Sequence, residues 1–391
     1  MKTGARLTVK TFNNIAHIDK KEWDAVFPDI LESYNFLKTM DESLSHQFNS
    51  YYITIYDNGK MACAAPCFIM DYPLDTTIEG PLKKIIMKMR RSIPRIFTLR
   101  TLICGSPASE GRIGIKAADC REIIEALGNE MLSIAKKERA SLVAFKDFHE
   151  EYLDALAPLL DMRFHKVPSY PSVELKINFK SFEEYFSALS KATRKDLKRK
   201  FRKSDGIVNI AMEVKNNING LADEIYELYL NTLYKSDVHF EVLSKNFFER
   251  ISENMPAETK YFLWRIDGKL VAFDLCLVSR DGLLIDEYIG MDYDAAYKYH
   301  LYYVTFRDII KWCIENNIRV YESGALNYDP KKRLDLKFIP QYIYVRHRKL
   351  FMNNLFGLLL IMIKPDNFEE AVKAAKSRTF LKEMREEESA G

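Results

Sequence analysis

One stretch of the chain gathers most of the groups that can bind anions or move protons: Tyr321-Glu322-Ser323-Gly324-Ala325-Leu326-Asn327-Tyr328-Asp329-Pro330-Lys331-Lys332-Arg333-Leu334. Asn327, Tyr328, Lys331 and Arg333 are neutral and cationic donors of the kind that hold an acyl carbonyl or a phosphate. Gly324 tolerates close backbone approach. Upstream, Asp286 and Glu287 interrupt an apolar run that reads as a strand, where an unpaired carboxylate is expensive to bury. At least one of them should therefore face a cleft or a cation and be placed to accept a proton, and Asp274 interrupts the preceding run in the same way. Structural pairing with Lys or Arg is the plainer reading of each. His300, at the head of a helical segment, is either a base, a phosphate ligand at a helix N-terminus, or an exposed surface histidine. Tyr302 and Tyr303 beside it suit leaving-group protonation or plain aromatic packing.

These residues need elements to carry them, and hydrophobic spacing supplies candidates. Tyr261 to Ile266 and Leu270 to Val278 are apolar runs joined by Asp267-Gly268, a dipeptide that favours a tight hairpin. A third run, Leu283 to Ile289, follows Asp281-Gly282. Tyr299 to Asn317 has apolar residues at helical steps (Val304, Phe306, Ile309, Ile310, Cys313), and a short strand, Arg319 to Glu322, ends at the polar loop. The N-terminal half repeats this order. Ile53 to Phe68 is again strand, Gly-Lys turn, strand, with one extra turn residue in the alignment, and Cys120 to Glu138 is an amphipathic helix that runs into Ser141 to Phe145. Two copies of one α/β unit with mixed sheets is the economical reading. The longer spacing in the first copy localises an insertion to about 81–100.

That insertion carries Lys83, Lys84, Lys88, Arg90, Arg91, Arg95 and Arg100 interleaved with apolar residues and no acid, a pattern of membrane-surface helices and of solvated lids alike. The segment Leu102 to Gly114 is rich in Gly and Ser; its amides suit a phosphate or carboxylate, and a plain connecting loop is the alternative. A Pro-punctuated crossover at Val167 to Pro171 precedes a strand, Ser172 to Ile177. Ser181-Phe182-Glu183-Glu184 then reads as a capping box opening a helix over 181–204. On that helix Lys191, Arg194, Lys195, Lys198, Arg199, Lys200, Arg202 and Lys203 stand against one acid, Asp196. A solvated helix usually mixes signs, so a polyanion is indicated: coenzyme phosphates, lipid headgroups or, less favoured for want of stacking aromatics, tRNA.

Bulk properties exclude other classes. The chain has 391 residues, 47% of them hydrophobic, enough for two cored domains, and a net charge of only +3 gives no global pull toward nucleic acid or membrane. Six cysteines are scattered through apolar segments with no secretory signal evident, which reads as reduced packing residues in a cytoplasmic protein and no metal site. No apolar run is long enough to span a bilayer. Leu355 to Ile363 reads as a buried C-terminal helix or strand, the alternative being an interfacial segment and peripheral contact with the inner face of a membrane.

With the repeated unit, the Lys-Ala-Thr-Arg-Lys-Asp-Leu-Lys-Arg-Lys helix and the loop Gly324 to Arg333 in view, the chain resembles tandem GNAT-fold proteins, in the branch of the Fem-type peptidoglycan aminoacyltransferases and related bacterial peptidoglycan-biosynthesis proteins. The family's basic-helix arginine falls on Arg194, and its glycine and Tyr/Lys loop on Gly324, Tyr328 and Lys331. The ordinary pyrophosphate loop of acetyl-CoA-binding relatives is absent, Gly290 to Ala296 standing in its place. The resemblance implies two GNAT-like domains, 1–168 with the basic insertion and 169–391 with the basic helix and apolar tail. It also implies an N-acyltransferase that takes an acyl or aminoacyl group from a carrier (acyl-CoA or aminoacyl-tRNA as co-substrate, no permanent cofactor) to a small or lipid-linked amine such as a cell-envelope precursor, the alternative being an aminoacyl-tRNA-dependent aminoacyltransferase of a peptidoglycan precursor. Such transfer needs a base, oxyanion donors and an acid. We assign catalysis to Asp286, Glu287, Tyr328 and Lys331, and carrier binding to Arg194, Lys198, Arg199, His300, Asn327 and Arg333, in an interdomain cleft lined by 274–333 and 191–203. A non-catalytic lipid-surface protein is the reading from another class.

Overall fold

The computed structural model describes residues 7–27, 31–73, 98–116, 120–235, 241–325 and 327–362. Its strands are β1 Thr8–Phe12, β2 Asn49–Asp57, β3 Lys60–Pro73, β4 Thr98–Cys104, β5 Gly114–Ile115, β6 Leu142–His149, β7 His165–Pro168, β8 Ser172–Lys176, β9 Ile210–Lys215, β10 Thr259–Ile266, β11 Lys269–Val278, β12 Leu283–Met291, β13 Val320–Ser323, β14 Lys337–Ile339 and β15 Gln341–His347. They form two mixed sheets of one pattern. The first runs β1-β2-β3-β4-β6-β15-β7 with β5 beside β3, and the second β14-β8-β13-β12-β11-β10-β9. In each, one central pair is parallel, β4 with β6 and β12 with β13, and the chain between those strands is an amphipathic helix, Arg121–Lys137 in one case and Leu301–Glu315 in the other. Apolar residues of these helices (Ile124, Leu127 and Met131; Val304, Ile309 and Ile310) are buried.

The repeat extends to irregularities. Both hairpins close through two residues of positive φ, Asn58-Gly59 and Asp267-Gly268, the turn whose twist matches paired strands. No extra turn residue is needed to align them, so the sequence alignment shifts by one position. Both carry a bulge at the same place: Ile55 pairs with Cys63 and Tyr56 with Met61, as Trp264 pairs with Ala272 and Arg265 with Leu270. The bulged residues, Ala62 and Val271, each stand three positions after the turn glycine.

The division of the chain differs from 1–168 and 169–391. One compact unit comprises Met1–Pro171 with Ile339–Gly391, and the other Ser172–Phe338. The reason is β15, which inserts between β6 and β7, just as β8 lies beside β13 in the second sheet. Each unit thus receives a strand that follows the other's last one, a long-range pairing that local patterns do not encode. The basic helix also departs from expectation. It breaks into Phe182–Ala188 and Lys191–Asp205, because Leu189 and Ser190 are extended and Ser190 caps the second helix by accepting the Thr193 amide at 3.1 Å. Arg100 belongs to β4; the rest of the basic insertion lies outside the described residues.

The Gly- and Ser-rich loop after β4 is a connector. Lys146 donates to the carbonyls of Ser106 and Ser109, so the loop turns acceptors, not amides, toward the nearby cation.

Candidate functional site

In the second unit, antiparallel register sets Cys276 opposite Asp286, and Asp274 lies two residues from Cys276 on the same face. Tyr321 and Ser323 of β13 pair with Leu284 and Asp286, which puts Tyr321 on that face too. Leu275 pairs not with Glu287 but with Tyr288. Glu287 is therefore the extra residue of a bulge, and the bulge switches which face the following side chains take. Before it, Asp286 looks toward the face covered by helix Leu301–Glu315. After it, Tyr288 joins Tyr229 and Phe247 on the other face.

The ligand atoms of Asp274, Cys276 and Asp286 lie within 4.8 Å of one another. Asp274 is 1% exposed, and one of its carboxyl oxygens has no hydrogen-bond partner. Burial, and then the charge of Asp286, push its pKa well above the usual carboxylate range, so Asp274 is held as a neutral acid. The Tyr321 hydroxyl donates to Asp286. Lys331 completes the group. It lies on the short helix Tyr328–Arg333, is 8% exposed, and donates to the carbonyl of Gly324. Burial lowers its pKa to about 8, against the opposing pull of Asp286 and Asp274. The donor trio is of metal-ligating type, but burial favours the neutral acid at Asp274 and the Lys331 ammonium already lies in the field of Asp286. Tyr302, half-buried, has its pKa raised by desolvation first and then by Asp286, which places its phenol in the field of the same acidic pair.

Beside this group the sheet opens. β13 pairs with β12 only from Leu283 to Asp286, whereas β12 continues to Met291 with β11 as its strand partner. Past Asp286 the β13-side edge of β12 has no strand neighbour among the described residues, the kind of backbone edge along which an extended ligand can pair.

A cationic cluster adjoins it. His300, at φ 54, opens helix Leu301–Glu315 with no side-chain cap bond. Its pKa is lowered by burial and then by Lys203, Lys200 and Arg199, so the basic helix turns these charges toward it. Ser204 of that helix donates to the Tyr299 carbonyl at 2.6 Å, and the Lys200 ammonium lies 3.6 Å from the Tyr303 ring centroid. A helix start with these cations beside it suits phosphate.

The expected residues are thus partly gathered. Asp286 and Lys331 lie within each other's electrostatic reach; His300 and Arg199 share the cationic cluster. Glu287 is displaced by the bulge, and its charge is felt at Tyr288 beside Glu241. The Tyr328 ring packs on Phe338 at 5.3 Å, while Asn327 and Arg333 are exposed. The Arg194 guanidinium donates to the carbonyls of Ser187, at 3.0 Å, and Leu189 at the end of the preceding helix. Exposed Lys198 lies 5.9 Å from the Phe186 ring centroid. The 274–333 region and the basic helix belong to the one unit Ser172–Phe338. Cys276 and Tyr321 were not among the expected site residues; the i, i+2 spacing from Asp274 and the short strand before Gly324 are the signals that point to them.

The sequence pattern of the FemAB-like family, described as peptidoglycan biosynthesis/recognition, matches residues 90–350. Curated proteins of Mycobacterium tuberculosis named for an 8-amino-7-oxononanoate synthase 2 are 25% identical over 327 residues, 80% of this chain and 42% of theirs; the chain spans less than half the length of these relatives. Among solved structures, the C-terminal domain of a lysylphosphatidylglycerol synthetase from Agrobacterium fabrum aligns with TM-score 0.54 at 13% identity, covering 89% of this chain and 95% of that one. FemX aligns with TM-score 0.54 at 12% identity, covering 86% and 96%. A tandem GNAT protein from the clavulanic acid pathway gives 0.51 at 9%, covering 88% and 99%. The fold is the tandem GNAT fold, and by sequence the chain belongs to the FemAB-like family of peptidoglycan biosynthesis/recognition proteins.

Proposed function

We propose that the chain is an N-acyltransferase that moves an acyl or aminoacyl group from a phosphate-bearing carrier to an amine, and that the second unit performs the transfer. The observation that carries this is the group of buried Asp274, Tyr321 and Lys331 around half-buried Asp286, at the point where β12 and β13 part. Carrier phosphates bind at His300 with Lys200 and Lys203, and the acyl arm follows the open edge of β12. Asp286 accepts the proton that the attacking amine loses, while neutral Asp274 and the Tyr321 hydroxyl keep it oriented. Lys331, with a pKa of about 8, is matched to protonate the departing thiolate or alkoxide near neutral pH.

Acyl-CoA is the favoured carrier and aminoacyl-tRNA the alternative. The family description and the lysylphosphatidylglycerol synthetase likeness favour a cell-envelope or lipid-linked amine as acceptor. The test is transfer itself. The chain is incubated with labelled acyl-CoA or with aminoacyl-tRNA and an amine panel that includes lipid-linked amines, and products are read by mass spectrometry. Product from one carrier, lost in Asp286→Asn, supports the reading; product that persists undiminished in that variant removes the site from it.

A further inference from the structure

The C-terminal helix is docked by the wrong side for a core element. Leu350–Met362 is strongly apolar, yet Phe351 is 81%, Leu355 47% and Leu358 62% exposed. These positions follow i, i+4, i+7 and form one stripe. The side that faces the protein is held by one polar and one small residue, with Phe356 and Leu360 half-buried beside them. Asn353, 1% exposed, donates to the Arg163 carbonyl at 2.9 Å and accepts the His347 amide at 2.8 Å. Gly357 lies so close to the His165 ring that an added Cβ would be 2.5 Å from it. Anchoring through Asn353 and Gly357 fixes the rotation of the helix and leaves the apolar stripe outward, which a folded chain does not do without a partner for it. The earlier expectation of a buried segment is corrected accordingly.

The surroundings of the stripe are cationic. Exposed Lys349 begins the helix, and Arg348 donates to the Ala140 carbonyl at 3.1 Å, next to exposed Arg139. Exposed Arg163 lies under Asn353 and near Arg346, whose pKa it helps burial to lower. An apolar stripe on a helix that begins at exposed Lys349 and docks beside segments carrying Arg139, Arg163 and Arg348 complements a surface that is apolar beneath and anionic at its boundary. We propose that this face of the first unit is a membrane-docking surface, in which Phe351, Leu355 and Leu358 enter the acyl boundary of an anionic bilayer and the surrounding cations meet its headgroups. Among the described residues no helix is long and apolar enough to cross a bilayer.

This inference is independent of the transfer chemistry, and its test is a binding measurement. The full chain is floated with vesicles of phosphatidylglycerol mixed into phosphatidylcholine, and with phosphatidylcholine alone. Binding is expected to the anionic vesicles, weaker at high salt, and reduced about 100-fold or more by Phe351→Ser/Leu355→Ser/Leu358→Ser. Lys349→Glu/Arg163→Glu should cost about 5-fold per charge on anionic vesicles only. All these side chains are exposed, and an unchanged Tm confirms that the variants fold. The inference is overturned if the chain ignores anionic vesicles, if the serine variant binds as well as the parent, or if light scattering shows that the stripe instead holds two copies of the chain together.

Discussion

Cys104 and Asp286 occupy the same place in two copies of one sheet. Each is the fourth pairing position along the parallel central strands, facing Phe145 and Ser323 respectively, and each stands opposite the equivalent cysteine of the neighbouring hairpin strand, Cys67 or Cys276. Extending the register, Asp274 corresponds to Ala65 and Tyr321 to Val143. β4 ends at Cys104, so its pairing with β3 stops at the position where β12 continues through the bulge at Glu287. One copy keeps the scaffold with thiol and aliphatic side chains, while the other places carboxylates and a phenol on it at the expense of burying them. That asymmetry is the reason to locate proton transfer in Ser172–Phe338.

Asp286→Asn should therefore lower turnover by about 10²- to 10⁴-fold, the range for removing a positioned acid or base, with the fold retained. Ala65→Asp, which places a carboxylate at the position in the first copy that corresponds to Asp274, should restore none of it and should destabilise. A steady-state assay beside a melting curve separates the two effects. Turnover unchanged in Asp286→Asn would remove that residue from the chemistry.

Asp274→Asn is expected to behave differently, since the amide imitates a carboxyl group already held neutral. The sign follows from linkage. A carboxyl whose folded pKa is raised binds more protons in the folded than in the unfolded state, so stability falls as pH rises from the usual carboxylate range toward the folded pKa. Denaturant melts across that window should show the fall in the parent and a flatter profile in Asp274→Asn, with turnover largely kept. A steeper profile in the variant would mean that Asp274 is ionised.

Much of this was legible in the sequence because it is local. The Asn-Gly and Asp-Gly hairpins, the helices Arg121–Lys137 and Leu301–Glu315, and the strand-helix-strand order all follow from turn chemistry and hydrophobic period. What was not legible is long-range or off-register. The pairing of β15 with β6 and β7 joins segments far apart in sequence, and the bulge at Glu287 breaks the alternation by which Asp286 and Glu287 would be sorted. Leu189 and Ser190 interrupt a basic helix whose composition looks continuous. Arg194 attracted a binding role through its company of charges, whereas its guanidinium closes the end of the preceding helix.

Arg194→Ala should accordingly cost stability and spare carrier affinity. Its hydrogen bonds to the Ser187 and Leu189 carbonyls are worth about 1 kcal/mol or somewhat more, readable as a lower denaturant midpoint at unchanged m-value. A variant of unchanged stability that binds its carrier poorly would return Arg194 to the site.

Lys331 makes a prediction on the alkaline side. Its pKa falls from 10.5 to about 8 on folding, so between those values the unfolded state holds more protons and stability should rise with pH, by roughly 3 kcal/mol over the window. Lys331→Met should flatten that rise. Turnover has the opposite dependence if the ammonium is the acid, declining as pH passes about 8 in the parent. Lys331→Arg, which stays charged, should move that decline to higher pH, and a decline that stays in place would assign the proton to another group.

The last prediction concerns the cationic cluster. Burial and the charges of Lys203, Lys200 and Arg199 hold His300 below its ordinary pKa, so it is largely neutral at pH 7 and costs little to desolvate. A bound phosphate adds negative charge beside it and raises that pKa, so binding takes up a proton and affinity for a phosphate-bearing carrier should increase as pH drops below neutral. His300→Ala should abolish the pH dependence, whereas Lys203→Ala should weaken binding at every pH and reduce its sensitivity to salt. Lys198→Ala, on an exposed side chain with only the Phe186 ring beneath it, should do neither. Calorimetric titration with the carrier in buffers of different ionisation enthalpy reads the proton uptake directly. Binding of the carrier with no proton uptake, and with affinity indifferent to both His300→Ala and Lys203→Ala, would show that its phosphates lie elsewhere.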